Sequence, residues 1–185
     1  MPGAPRLLLI VGLLSSQAVH AADTPEVAVV RLRFAGATLF EVRASVFARA
    51  SVEHAWQLLT DYERQPDYVP NLTSARIVAR DGNEVVLDQD GRGGFLFFKR
   101  GVHLQVHVTE NPKSTIDVTL LSGDMKHYTA HWQLTAVGVG AEAGTRIDYG
   151  GSLEPDFFMP PLIGNAMLRS DVRKMLTAVI GEIEK

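Results

Sequence analysis

Six histidines, no cysteine, and a scatter of serines, carboxylates and tyrosines set the chemistry this chain can offer. His103 with His107, and His127 with His131, are i, i+4 pairs whose imidazole nitrogens zinc would accept. Both pairs fall in runs of alternating apolar and polar residues, which read as strands. Four residues of strand span about 13 Å, too far for one ion to take both members of a pair. The run between them carries only Asp117 and Thr119 on the same side, so the histidines read as a solvated polar face and no metal site is expected. Serine, histidine and aspartate are present, but no G-x-S-x-G elbow presents a nucleophile. Asp90 to Gly94 (DGRGG) is glycine-rich, yet the Phe95-Leu96-Phe97-Phe98 that follows is strand-like. A phosphate cradle needs a helix N-terminus there; a kinked or bulged strand is expected instead. Without cysteine there is no thiol nucleophile, thiolate metal site, iron–sulfur cluster or disulfide. No catalytic residue and no cofactor is assigned.

What remains suits binding. Tyr62, Tyr68, Phe95, Phe97, Tyr128, Trp132, Tyr149, Phe157 and Phe158 fall at positions expected to face inward or to form a rim. Ordinary core packing accounts for part of that set. Glu154 to Pro161 (EPDFFMPP) reads either as a lid or as a tightly packed connection. On the helical wheel of the last element, Asn165 falls near the middle of the apolar stripe and Arg169 near its edge. Polar groups aimed inward need partners: a ligand's polar end, a carboxylate, or solvent at an open mouth. Tyr128, Tyr149 and Arg169 are the inward acid–base candidates, and they form no pair suited to proton transfer.

These residues need elements to position them. Residues 1–21 read as a signal peptide: Arg6 gives the positive region, Leu7 to Leu14 a short apolar one, and Val19-His20-Ala21 a cleavage site. The alternative is a retained anchor, against which the apolar run is short. Export, to a periplasm or beyond the cell, is the expected localisation. Residues 22–37 form a tether and an extra strand, and 38–185 one ligand-binding domain. A net charge of −3 speaks against a nucleic-acid surface; the partners expected are an apolar small molecule and, transiently, a membrane surface.

Ser51 is a helix N-cap, with Val52, Ala55, Trp56, Leu59 and Tyr62 at helical spacing, and Pro66 and Pro70 allow only a short second helix. From Thr73 onward, regular turn signals separate six strands of an antiparallel meander. Parity sorts their faces. Val102, Leu104, Val106 and Val108 oppose His103, Gln105 and His107; Ile116, Val118 and Leu120 oppose Asp117 and Thr119; Tyr128, Ala130, Trp132 and Leu134 oppose His127, Thr129, His131 and Gln133. The dry face must be covered. A terminal helix from about Pro161 to Glu184, with Leu168, Val172, Met175, Leu176, Val179, Ile180 and Ile183 in one stripe, supplies the cover. A curved sheet around one helix encloses a cavity, and such cavities take apolar small molecules. Leu104, Val106, Val118, Leu120, Val172 and Leu176 join the aromatics, Asn165 and Arg169 as its expected lining.

The run SVEHAWQLLTDYERQPDYVPN, the later GDMKHYTAHWQL and GTRIDY, and the proline-led last helix resemble the polyketide cyclase and coenzyme Q-binding branch of the START-like, helix-grip superfamily. The resemblance covers Thr38 to Lys185. It implies an α+β helix-grip fold: a curved antiparallel sheet of about seven strands around a long C-terminal helix, with two short helices after the first strands. It also implies an internal cavity for lipids, quinones, hormones or polyketides. Two functions follow from it. One is a carrier or sensor of a lipid, isoprenoid, quinone or aromatic metabolite; the other is a cyclase or dehydratase working in the same cavity. The signal sequence and the extra N-terminal strand are departures from the family pattern.

Overall fold

A computed structural model of the chain describes residues 25–34, 36–93, 100–156 and 164–185. The apolar residues of the first two runs alternate, so they pair as a hairpin, β1 (Glu26–Phe34) with β2 (Ala37–Ala48). Gly36 turns between them at φ 87, a backbone conformation that suits glycine. Ser51 then caps α1 (Val52–Thr60), its hydroxyl accepting from the His54 N–H at 3.2 Å. Ala55, Leu58 and Leu59 form the buried stripe of α1. The second helix is a 3₁₀ segment, Tyr62–Asp67, which contains Pro66. Asn71, at φ 70, reverses the chain into the meander.

The six expected strands are β3 (Leu72–Asp81), β4 (Glu84–Gly93), β5 (Arg100–Asn111), β6 (Thr115–Gly123), β7 (Met125–Val137) and β8 (Gly144–Pro155). With the first hairpin they make one antiparallel sheet in the order β1-β2-β8-β7-β6-β5-β4-β3. The described sheet therefore has eight strands, because β1 adds to the outer edge of β2. The glycine-rich run lies in β4 up to Gly93, and the bulge expected there falls in its partner, where Thr73 is the extra residue between Leu72↔Gly91 and Ser74↔Asp90. Another irregularity, between Gln105 and Val106, slips β6 against β5 and leaves Leu121 exposed.

The last helix is described as α2, Gly164–Ile183. It lies on the inner face and packs against β1, β2 and α1. Leu176, Val179 and Ile183 are buried, with Leu168, Val172, Met175 and Ile180 packed beside them, so the expected stripe is the observed one. Burying a side chain such as Leu176 stabilises the fold by about 1.5–3 kcal/mol. Polar contacts pin α2 at several points, among them the Arg64–Glu182 ion pair to the 3₁₀ segment. Arg173 Nε donates to the Pro25 carbonyl at 3.2 Å, and the Glu184 carboxylate accepts from the Arg49 N–H at 2.8 Å. The join of β2 to β8 is tight: a Cβ on Gly144 would stand 2.4 Å from the Ala48 carbonyl oxygen. Beside it, buried Thr145 donates to the Ala50 carbonyl.

Candidate functional site

Covering a curved sheet with a single helix leaves space where the helix stands away from the strands. The described structure has such a cavity, about 170 Å³, between α2 and the middle of the sheet. Met175 and Val179 of α2 form one wall; Leu59 of α1, with Tyr62 and Gln65 of the 3₁₀ segment, closes one side. The floor is the inner face of β4 to β8, through Leu87, Val106, Val108, Ile116, Val118, Ala130 and the three rings Tyr128, Trp132 and Tyr149. A larger concavity of about 870 Å³ lies beside the first residues of β1. It is open and rimmed by Glu26, Arg43, Asp148, Arg169 and Arg173, so it lacks the enclosed apolar wall of the first.

Trp132 and Tyr149 face each other across β7 and β8 and meet edge to face, ring centres 4.7 Å apart. The Tyr149 hydroxyl neighbours that of Tyr128, two inner-face positions further along β7. Gly151 shares the inner face with Tyr149 and lets β8 lie close on β7: a Cβ there would stand 2.7 Å from the Thr129 carbonyl oxygen. Burial pushes both phenols above the ordinary tyrosine range, and for Tyr149 the neighbouring Tyr128 adds to the effect.

At the opposite side the Tyr62 hydroxyl donates to Glu110 at 2.8 Å. Glu110 is a buried carboxylate held also by both terminal nitrogens of Arg80, at 3.1 and 3.2 Å. Burial first, then the bond to Glu110, pushes the Tyr62 phenol up. Tyr68 is likewise raised by burial and donates to the Leu58 carbonyl at 3.2 Å. Gln65 donates to the Leu59 carbonyl, and Gln89 of β4 is the last polar side chain on the wall.

Of the residues expected from sequence to line the cavity, Tyr62, Val106, Val118, Tyr128, Trp132 and Tyr149 do so. Phe95, Phe97, Phe157 and Phe158 lie outside the described residues. Tyr68 and Leu104 pack on the core next to the cavity without lining it, and Leu120, opposite Val106 and next to the extra residue Leu121, is half-buried away from it. Leu176 and Val172 belong to the packed core between α2 and the sheet rather than to the cavity wall. Arg169 corrects the wheel: it shares the azimuth of Leu176 but is exposed, on the rim of the open concavity beside β1. Asn165 is half-buried, and its Oδ1 is buried with no hydrogen-bond partner among the described residues. Neither lines the cavity. Glu110, Gln65 and Gln89 were not anticipated. Two of them had a signal: Glu110 continues the inner parity of Val106 and Val108, and Gln89 that of Val85 and Leu87.

The histidines sit on the outer face, each with its own partner. His103 pairs with Asp90 at 2.9 Å, His107 with Glu84 at 2.9 Å, His131 with Asp117 at 2.6 Å, and His127 bonds Ser152 at 2.7 Å. Among the described residues no three metal-ligating side chains gather.

A model of the family described as polyketide cyclase / dehydrase and lipid transport matches residues 49–180. No curated protein sequence matches the chain. Among solved structures, the STAR-related lipid transfer protein (fragment 25–204) from Xanthomonas axonopodis superposes with a TM-score of 0.69 at 16% identity, covering 88% of this chain and 95% of that one. A START superfamily protein from Mycobacterium smegmatis gives 0.64 at 18% identity, over 77% of this chain and 96% of that one. The Zhui aromatase/cyclase from Streptomyces sp. R1128 gives 0.62 at 16% identity, over 78% and 93%. At these identities the likeness is one of fold.

Proposed function

The chain belongs to the polyketide cyclase / dehydrase and lipid transport family, and on that premise we propose that it is an exported carrier or sensor that binds an apolar small molecule between α2 and the sheet. The observation that carries the proposal is the partly enclosed cavity of about 170 Å³, walled by apolar side chains from seven elements and by a few neutral polar groups. A 150 Å³ apolar cavity holds a molecule the size of benzene. This one therefore suits a small aromatic metabolite, or the ring end of an isoprenoid or quinone, better than a whole lipid. Export is supported by the order of the first residues, a positive charge, an apolar run and a small-residue site ending at Ala21.

Catalysis in the same cavity is the second reading, and the family description favours it. It needs a group that exchanges protons near neutral pH. Tyr62, Tyr128 and Tyr149 on the cavity wall are all pushed upward, and Glu110 is held by Arg80 and Tyr62. Binding without reaction is the reading these groups support.

Native mass spectrometry of the protein purified from its own host's envelope fraction tests the proposal. A retained apolar molecule is the expected result. Protein that emerges bare and takes up no apolar aromatic probe overturns it. N-terminal sequencing of the same sample tests export: a start at or near Ala22 is expected, and an intact Met1 on a membrane-bound product overturns it.

A further inference from the structure

Every polar side chain on the cavity wall among the described residues is neutral: Tyr62, Gln65, Gln89, Tyr128, Trp132 and Tyr149. The cation described behind that wall, Arg80, has both terminal nitrogens on Glu110. Arg169 and Arg173 are exposed, and Arg173 donates to the Pro25 carbonyl. A carboxylate or phosphate on a ligand would thus be stripped of water with no counter-charge, which is strongly unfavourable.

The phenol pair supplies the complementary half of the argument. Tyr128 and Tyr149 each carry a hydroxyl proton, and a bond between the two neighbouring hydroxyls can use only one of them. Neither hydroxyl has another hydrogen-bond partner among the described residues, so the second proton is a donor without a protein acceptor. Buried donors seek acceptors, and the rings that carry this one line the cavity. Resting on the binding proposal above, we infer that the Tyr128–Tyr149 pair is the polar anchor of the site and selects an uncharged, ring-sized ligand through a carbonyl oxygen that accepts this proton. Both phenols stay protonated at neutral pH because burial pushes them up, so the donor is present throughout that range.

The test uses three probes of one skeleton, acetophenone, isopropylbenzene and benzoate, titrated by calorimetry or ligand-observed NMR. The proteins are the wild type and the double variant Tyr128→Phe/Tyr149→Phe. The wild type is expected to bind acetophenone and isopropylbenzene and to reject benzoate. The double variant should bind acetophenone about fivefold more weakly, the scale of one neutral hydrogen bond. Its affinity for isopropylbenzene should stay within about twofold, which also shows that the cavity still folds. The two single variants then identify which phenol faces the carbonyl. Benzoate bound as tightly as acetophenone overturns the neutral-ligand inference. A double variant that weakens both neutral probes equally, or neither, overturns the anchor and leaves the binding proposal standing. Failure of both neutral probes to bind the wild type overturns the binding proposal and the anchor with it.

Discussion

Glu110→Gln, Tyr62→Phe and their combination test whether the carboxylate at the end of β5 ties the 3₁₀ segment to the sheet. Glu110 is 6% exposed, and its oxygens take three bonds of 2.8 to 3.2 Å, one from Tyr62 and two from Arg80. Breaking a fully buried pair costs about 3–5 kcal/mol. The Arg80 side chain is 38% exposed, so its freed guanidinium can regain water, and glutamine keeps one acceptor for Tyr62. The expected loss for Glu110→Gln is therefore lower, about 2–3 kcal/mol. Tyr62→Phe removes only the hydroxyl, since the ring under Arg80, 6.0 Å from the guanidinium carbon, remains. Glu110 keeps its Arg80 bonds in that variant, and the expected loss is about 1–2 kcal/mol.

The informative quantity is the coupling. Once an amide replaces the carboxylate, the Tyr62 bond is neutral to neutral and worth roughly half as much. The double variant should therefore lose about 1 kcal/mol less than the sum of the singles. Urea unfolding followed by far-ultraviolet circular dichroism reads each term, with a loss of 2 kcal/mol moving the midpoint by about 1 M. Additivity within about 0.5 kcal/mol would show that hydroxyl and carboxylate do not share a network. A Glu110→Gln variant as stable as wild type would refute the reasoning outright, because the ion pair would then be solvated.

Leu176→Ala should cost about 2–5 kcal/mol, since Leu176 is fully buried against the sheet; a shift within error in urea unfolding would mean that α2 is not docked as described. Arg169→Ala should leave affinity for acetophenone and isopropylbenzene within about twofold, because Arg169 is exposed and off the cavity wall; a larger loss in the same titrations would put the ligand at the mouth of α2. The chain has four tyrosines, and the phenols of all four are raised from 10.0 in the fold. The folded state then holds more protons than the unfolded state above that pH, so their contribution is complete below pH about 10 and declines as pH rises further. Urea midpoints should fall above that point, and the ultraviolet tyrosinate band should emerge only as the protein unfolds. Ionisation of any tyrosine with the fold intact near its ordinary value would contradict the burial.

Strand parity made the cavity floor legible. Val106, Val118, Tyr128 and Trp132 face it because alternation along a strand decides a side with no knowledge of the rest of the molecule. The same rule reaches Glu110 and Gln89, which fall in phase with Val108 and Leu87. Composition hid them: a carboxylate beside Asn111 and Pro112 reads as turn, and a glutamine beside the glycine-rich run reads as surface. Periodicity says which side a residue takes. It does not say whether a partner such as Arg80, thirty positions away, will neutralise it there. Slippage is a separate limit. Leu121 is the extra residue at the Gln105/Val106 irregularity, so the phase of β6 changes after Leu120, and no local signal in the sequence marks it.

Arg169 shows the complementary limit of the helical wheel. The wheel gives azimuth, and Arg169 does lie in line with Leu176. Burial also depends on depth along the axis, which is set by how far the covering strands extend. Leu176 is fully buried, whereas Arg169, two turns earlier, is exposed on the open concavity beside β1, although Gly164 is buried and Leu168 packs on the core in the same first turns. Within the covered part, neighbouring positions do different work. Leu176 fills the packed core, while Met175 and Val179 face empty space across from Tyr128, Trp132 and Tyr149. The cavity thus lies where three large rings prop the helix off the sheet. Those rings line it and carry hydroxyl and indole donors without described partners, which is why selectivity is argued from β7 and β8 and not from the charged end of α2.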